Sequence, residues 1–185
     1  MGSFGNEMKN VDEILDKLTE IDLMCEQNKI YAEILILGGA GLLLIMKMQG
    51  DSFRSTRDID INLISSTNEK GFREVLKRFE VDILDGIIEV PPPEDFEDEE
   101  KYKITNTGFK NLEVFVPKIE LLSCTKIFSV REKDLQDLRD TNLLMYCNKK
   151  ELLEMVDEYK DYYMNIDNPD LNYHQLFSIL RDKGI

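Results

Sequence analysis

The chain has no tryptophan, one histidine and three cysteines among its 185 residues. The cysteines, Cys25, Cys124 and Cys147, are scattered and form no C-x-x-C pair. With His174 as the single imidazole, a zinc site of the usual Cys/His kind is excluded. An odd cysteine count and the lack of a signal peptide point to a reducing cytoplasm. Long hydrophobic runs are missing too. The longest, Ile34 to Met46, is interrupted by three glycines and is too short to span a bilayer. Positive charge is scarce: 23 basic residues face 37 acidic ones, a formal net charge of −14. Such a balance excludes an extended nucleic-acid-binding face and attachment to an anionic membrane. It leaves room for contact with a nucleic-acid end, because a bound metal changes the local field.

What remains is ordinary for a globular protein, with 42% hydrophobic and 32% charged residues. The length suits one domain, or a small domain with a helical appendage. Asn10 with Glu13 resembles a capping box, followed by Val11, Ile14, Leu15, Leu18, Ile21 and Cys25 at helical spacing. Ile34 to Leu37 is a short apolar strand, Gly38-Gly39-Ala40-Gly41 a turn, and Leu42 to Met48 a buried helix. A strand follows at Ile59 to Ile64, and Asn68 caps a helix running to Phe79. Val81 to Leu84 and Ile87 to Val90 have strand character. Pro91 to Glu100, with three prolines and six acidic residues, reads as a solvated loop. Tyr102 to Thr105 and Leu112 to Val116 form a hairpin around Thr107-Gly108. Helices are expected near 118–128, 132–146, 149–164 and 171–182. The expected fold is therefore α+β: a mixed sheet flanked by helices over residues 1–117, then a C-terminal helical region, 118–185, packed on it.

The most informative segment is Leu37-Gly38-Gly39-Ala40-Gly41 with Arg54-Ser55-Thr56-Arg57-Asp58-Ile59-Asp60-Ile61. Residues i and i+2 of a strand share a face, so Asp58 and Asp60 project together while Ile59 and Ile61 enter the core. Two carboxylates on one edge repel unless a cation lies between them, and a divalent metal is the usual resolution. A glycine turn at a helix N-terminus offers backbone N–H groups to phosphate. The pair suggests a metal–nucleotide site. Nucleotidyl transfer needs two or three converging carboxylates. Glu113, a lone charge within Leu112-Glu113-Val114-Phe115-Val116, is the foremost third candidate, with Asp82 and Asp85 as alternatives.

These residues resemble the nucleotidyltransferase superfamily related to DNA polymerase beta, whose signature is Gly-Gly or Gly-Ser, a helix, then Asp-x-Asp. More narrowly, Gly38-Gly39 with Arg54-x-Thr56-x-Asp58-Ile59-Asp60 is similar to the bacterial toxin–antitoxin and abortive-infection branch. Lys126 followed by Arg131-x-Lys133-Asp134-x-x-Asp137 resembles its second block. The likeness covers about residues 30–145. One departure is the 18-residue spacing, Ala40 to Arg57, between Gly39 and Asp58. The resemblance implies that Gly38 and Gly39 cradle phosphates, Asp58 and Asp60 bind Mg²⁺ (or Mn²⁺), and Arg54 and Thr56 shape the nucleotide pocket. Lys126 would contact the triphosphate, with Lys133, Asp134 and Asp137 as the polar residues of the second block. It implies an enzyme moving a nucleoside monophosphate from an NTP to a hydroxyl of a tRNA end, a protein or a small molecule. The alternative is a catalytically weak antitoxin-like or regulatory binding protein with a cognate toxin or antitoxin partner.

The second block carries a local puzzle. On one continuous helix over 126–138, Lys126, Lys133 and Asp137 form a stripe, and Arg131 falls inside the apolar face of Ile127, Phe128, Leu135 and Leu138. Burying that charge is costly without a partner. Either the helix breaks near Ser129–Val130, or Arg131 pairs with a carboxylate such as Asp134. Tyr159, Tyr162, Tyr163 and Met164 are expected to pack on the core, and His174 to lie at the surface or in packing.

Overall fold

The computed structural model describes residues 10–56, 58–84, 91–92 and 94–185. In chain order the elements are α1 (Val11–Asn28), β1 (Ala32–Leu37), α2 (Gly38–Met48), β2 (Asp60–Ser66), α3 (Glu69–Arg78) and β3 (Asp82–Ile83). There follow α4 (Asp95–Asp98), β4 (Lys101–Lys103), β5 (Leu112–Pro117), α5 (Ile119–Ile127), α6 (Glu132–Asp140), α7 (Lys149–Tyr162) and α8 (Leu176–Asp182). Short 3-10 turns occupy Leu143–Met145 and Asn172–Gln175. The architecture is α+β with a mixed sheet, as expected. Ile87 to Val90 and Asp85 lie outside the described residues.

The chain divides into two compact units. The first takes α1 to β3 together with β4 and β5. The second takes the stretch around α4 and everything from residue 118 onward. The acidic segment 94–99 thus belongs with the helices rather than with the sheet.

In the first unit the strand order is β3-β2-β1-β5-β4. β1 pairs antiparallel with β2 and parallel with β5, β2 pairs parallel with β3, and β4 pairs antiparallel with β5. β1 lies at the centre, so its sequence is nearly all apolar: Ala32, Ile34, Leu35, Ile36 and Leu37 are all buried. A strand covered on both faces reads as a continuous hydrophobic run rather than an alternating one. α1 contributes Ile14, Leu18, Ile21 and Cys25 at helical spacing, each fully buried. Burial of one such leucine or isoleucine is worth about 1.5–3 kcal/mol.

The caps follow the local chemistry. The Asn10 side chain accepts from Glu13 N–H at 3.0 Å, and Asn68 accepts from Gly71 N–H at 3.0 Å. Each such cap is worth about 1 kcal/mol. Asp22 does a longer-range version of the same thing. Its carboxylate, 5% exposed, accepts from the backbone N–H groups of Lys110, Asn111 and Leu112, tying α1 to the start of β5.

In the second unit α5 packs against α6 and α7. Leu121, Leu122, Ile127, Leu138, Leu152 and Val156 are buried there. Glu120 accepts from Asn148 N–H at 2.6 Å, and Asn148 in turn caps α7 through the N–H groups of Lys150 and Glu151. The acidic segment expected as a solvated loop instead contains α4. Phe96 is buried, Asp95 accepts from the Tyr159 hydroxyl at 2.6 Å, and Glu99 pairs with Lys118 at 2.7 Å. Of the cluster expected to pack, Tyr159 is buried, whereas Tyr162 and Met164 are exposed. His174 is at the surface, edge-on to Tyr173. Among the described residues no helix is long and apolar enough to cross a membrane.

Candidate nucleotide site

The glycines and the carboxylate strand meet where β1 turns into α2. Leu37 is extended, with ψ −173°, and Gly38 then has φ +56°, a conformation that L residues rarely adopt. The turn is so tight that α2 begins at Gly38 itself, not at Leu42. Pairing of Leu37 with Asp60 brings the start of β2 beside it. A Cβ on Gly38 would lie 2.6 Å from Asp60 Oδ2, so the Asp60 carboxylate rests directly against the glycine backbone. A Cβ on Gly39 would lie 2.8 Å from Thr56 Oγ1, 3.1 Å from Thr56 Cβ and 4.0 Å from Arg54 Nη1. Four of the residues singled out in the sequence, Gly38, Gly39, Thr56 and Asp60, therefore share one small space, with Arg54 at its margin.

The surroundings hold this arrangement. Thr56 is 8% exposed and its hydroxyl donates to Asp58 C=O at 3.3 Å. The Arg54 guanidinium lies over the Phe53 ring, 5.5 Å from its centroid, and donates to Ser55 C=O at 3.3 Å. Ile59 and Ile61 are fully buried, Asp58 is exposed and Asp60 half-buried. The in-and-out alternation of the strand thus begins at Asp58, two residues before β2 starts. The N-cap residue of α2, Leu37, makes no side-chain capping hydrogen bond.

Glu113 is not brought to this place. β1 separates β5 from β2, and Glu113 pairs with Glu33, four residues from Leu37. At strand spacing that is roughly 13 Å along β1. Glu113 is also engaged, with Lys103 at 3.1 Å and the Tyr31 hydroxyl. The Tyr31 hydrogen bond, followed by that from Lys103, holds its carboxyl below the ordinary glutamate range. Desolvation, followed by the hydrogen bond to Glu113, pushes the Tyr31 hydroxyl up to about 12. Asp82, the alternative, occupies the register position of Asp60 on β3. In the sequence it is the weaker candidate, because Glu113 sits as a lone charge in the stronger strand pattern. The strand order reverses that ranking, since β3 adjoins β2 and β5 does not. Among the described residues no three His, Cys, Asp or Glu side chains converge into a metal cluster.

The second block forms its own constellation within the helical unit. α5 ends at Ile127 and α6 begins at Glu132, so the helix breaks near Ser129–Val130, and Arg131 pairs with Asp134 as well: both alternatives hold. Lys126 is 3% exposed; its ammonium donates to Asp134 Oδ1 at 2.8 Å and Asp137 Oδ2 at 2.6 Å. Asp134 Oδ2 accepts from Ser129 Oγ and from Arg131 Nε, both at 2.6 Å. Burial works to raise the Asp134 pKa; the charge and hydrogen bond of Lys126, with those of Ser129 and Arg131, outweigh it and hold the carboxyl below the ordinary range. Asn172, buried, clamps the break by donating to Lys126 C=O at 3.0 Å and Arg131 C=O at 3.3 Å. Lys126, Asp134 and Asp137 thus come together as a buried ion cluster, while Lys133 is exposed.

No curated protein and no solved structure matches this chain at a significant level. A family model does, over residues 10–181: DUF6036, described as a nucleotidyltransferase of unknown function. That span takes in the glycine turn, the Asp58–Asp60 edge and the second block alike, and the chain belongs to this nucleotidyltransferase family.

Proposed function

We propose that the space between the start of α2 and the Asp58–Asp60 edge is the donor site of a nucleotidyltransferase that moves a nucleoside monophosphate from an NTP to an acceptor hydroxyl. The observation that carries this is the Asp60 carboxylate seated against Gly38, which has room only because residue 38 lacks a Cβ. A surface D-x-D pair has no need of such a cradle. In the reaction the acceptor oxygen bonds to the α-phosphorus, the bond to the pyrophosphate breaks, and the hydroxyl proton is released.

Asp58 and Asp60 offer hard oxygen ligands of the kind that suit Mg²⁺ or Mn²⁺. When bound, the metal neutralises the triphosphate and acidifies the attacking hydroxyl. The N–H groups at the start of α2 bind phosphate oxygens, and the positive end of the helix favours their charge. Thr56 supports the Asp58 backbone and fills the wall beside Gly39. Arg54 supplies positive charge at the margin, stiffened by its contact with Phe53. Asp82 takes the place first given to Glu113 as the third carboxylate, because its register position adjoins that of Asp60. The net charge of −14 favours a protein or a small molecule over an RNA end as acceptor.

The test is thermal unfolding with each of the four NTPs, with and without Mg²⁺, on the wild type and on Asp60→Asn. A ligand at about 100 times its Kd adds roughly 2.7 kcal/mol of stability. The expected result is an Mg²⁺-dependent rise with at least one NTP that disappears in Asp60→Asn. No rise with any NTP overturns the donor site.

A second reading has one observation in its favour. Lys126, expected on the triphosphate, is instead held between Asp134 and Asp137. A chain whose second block has become purely structural would serve as a weakly catalytic antitoxin-like or regulatory partner. Loss of the NTP response in the wild type, with tight binding to a cognate toxin or antitoxin, would select this reading.

A further inference from the structure

We propose that the groove between α7 and the Tyr173–Phe177 stretch docks a basic amphipathic helix of a partner protein. The groove lies wholly within the helical unit and does not depend on the donor-site reading.

Phe177 is the one exposed phenylalanine among the described residues, with 63% of its surface open. Leu176, Ile179 and Leu180 form the buried stripe of α8, at i, i+3 and i+4, and Phe177 falls outside it. A lone exposed apolar side chain needs no explanation. Phe177 is not alone. With Leu153, Val156 and Tyr173 it lines a groove of about 410 Å³. Clefts that take a ligand run from about 300 to 1,000 Å³. The floor is preformed. Tyr173 stacks on buried Phe128, with ring centroids 5.8 Å apart and planes at 11°, and Phe128 meets Tyr159 edge-on at 6.5 Å. Tyr173 is thus tied to the helical core, and a surface ordered in advance lowers the entropy cost of binding.

Charge at the rim selects the occupant. Glu154 and Asp157 edge the groove. Glu151, Glu158 and Asp161 are also exposed on α7, so five exposed acids face two exposed lysines, Lys149 and Lys150. Lys150 pairs with Glu154 at 3.7 Å, and half-buried Lys160 pairs with Asp157. Surface pairs within one helix are weak and yield to a competing cation. A second copy of this chain does not suit the groove. A two-fold contact uses the same patch on both copies, so it would set acid against acid between chains that each carry −14. A helix with an apolar ridge and lysines or arginines along its flanks meets both features. The ridge fills the groove and the cations meet the acids.

The experiment uses three labelled peptides of five helical turns, about 18 residues each, and fluorescence anisotropy on the full chain. The first peptide has leucines at helical spacing and lysines elsewhere. The second has the same composition in scrambled order, and the third carries glutamates in place of the lysines. The proteins are wild type, Phe177→Ser, the double variant Glu154→Gln with Asp157→Asn, and Leu23→Ser. Leu23 is 50% exposed on α1, in the other unit, and serves as the apolar control. The expected result is that the leucine–lysine helix binds wild type and Leu23→Ser alike. Phe177→Ser and the double variant each lose about tenfold or more in affinity while unfolding with the wild type. Equal affinity for the scrambled or the acidic peptide, equal affinity of Phe177→Ser, or no binding by wild type overturns the proposal. A wild-type dimer in sedimentation that Phe177→Ser returns to monomer overturns it too, because a second copy then fills the groove.

Discussion

Gly38 concentrates the argument at the scale of one residue. It has a positive φ and it leaves the space that the Asp60 carboxylate occupies. Gly50 has the first property without the second: its φ is +77° but nothing lies within 4 Å of a built Cβ. The two positions make a matched pair. Gly38→Ala and Gly50→Ala should each cost about 1 kcal/mol through the backbone alone. Gly38→Ala should in addition weaken Mg²⁺–NTP binding by about tenfold or more, measured by calorimetric titration, while Gly50→Ala leaves it unchanged. Equal affinities in the two variants would mean that the close approach of Gly38 to Asp60 has no part in binding. Gly38 was legible as a turn glycine; that a side chain is pressed against it was not, because that depends on a strand 22 positions further along the chain.

The α5–α6 junction shows what an element owes to its neighbours. The break was legible, since a continuous helix would have driven Arg131 into an apolar face. The fate of Lys126 was not, because a helical lysine gives no local sign of its partners. The cluster also makes stability depend on pH in a definite direction. Asp134 has a lowered folded-state pKa. Its contribution is therefore present above the unfolded aspartate value of about 3.9 and is lost as pH falls through the lower folded value. Asp134→Asn should destabilise by about 3 kcal/mol near neutrality, the usual scale for breaking a buried pair. The gap in unfolding free energy between wild type and variant should narrow below about pH 4. A gap that stays constant down to pH 2 would show that the carboxylate charge is not what stabilises the junction. α4 is the opposite case from the break. Its acidic and proline-rich surroundings read as loop, and it forms because Tyr159 and Lys118, distant in sequence, supply a hydroxyl and an ammonium to Asp95 and Glu99.

For the whole molecule the dominant quantity is the net charge of −14 on 185 residues. Self-repulsion of that size opposes the compact state and is screened by salt. The screening length falls from about 30 Å at 0.01 M to about 3 Å at 1 M. Unfolding temperature should accordingly rise by several degrees over that range in sodium chloride, with NTP absent. A flat or falling profile would mean that the ion pairs lost to screening outweigh the repulsion relieved.

Length, composition and periodicity were enough to determine the α+β class, the capped helices, the buried β1 and the Gly38-Gly39 with Asp58-x-Asp60 pattern, because each of these is written in neighbouring residues. Tertiary structure alone decided the partners. It gave Asp60 its place against Gly38, put Glu113 on the far side of β1 with Lys103 and Tyr31, and turned Lys126 inward onto two aspartates. The physical reason is the same in each case. A charged side chain is defined by what neutralises it, and strand order and helix packing bring those groups together from distant parts of the chain.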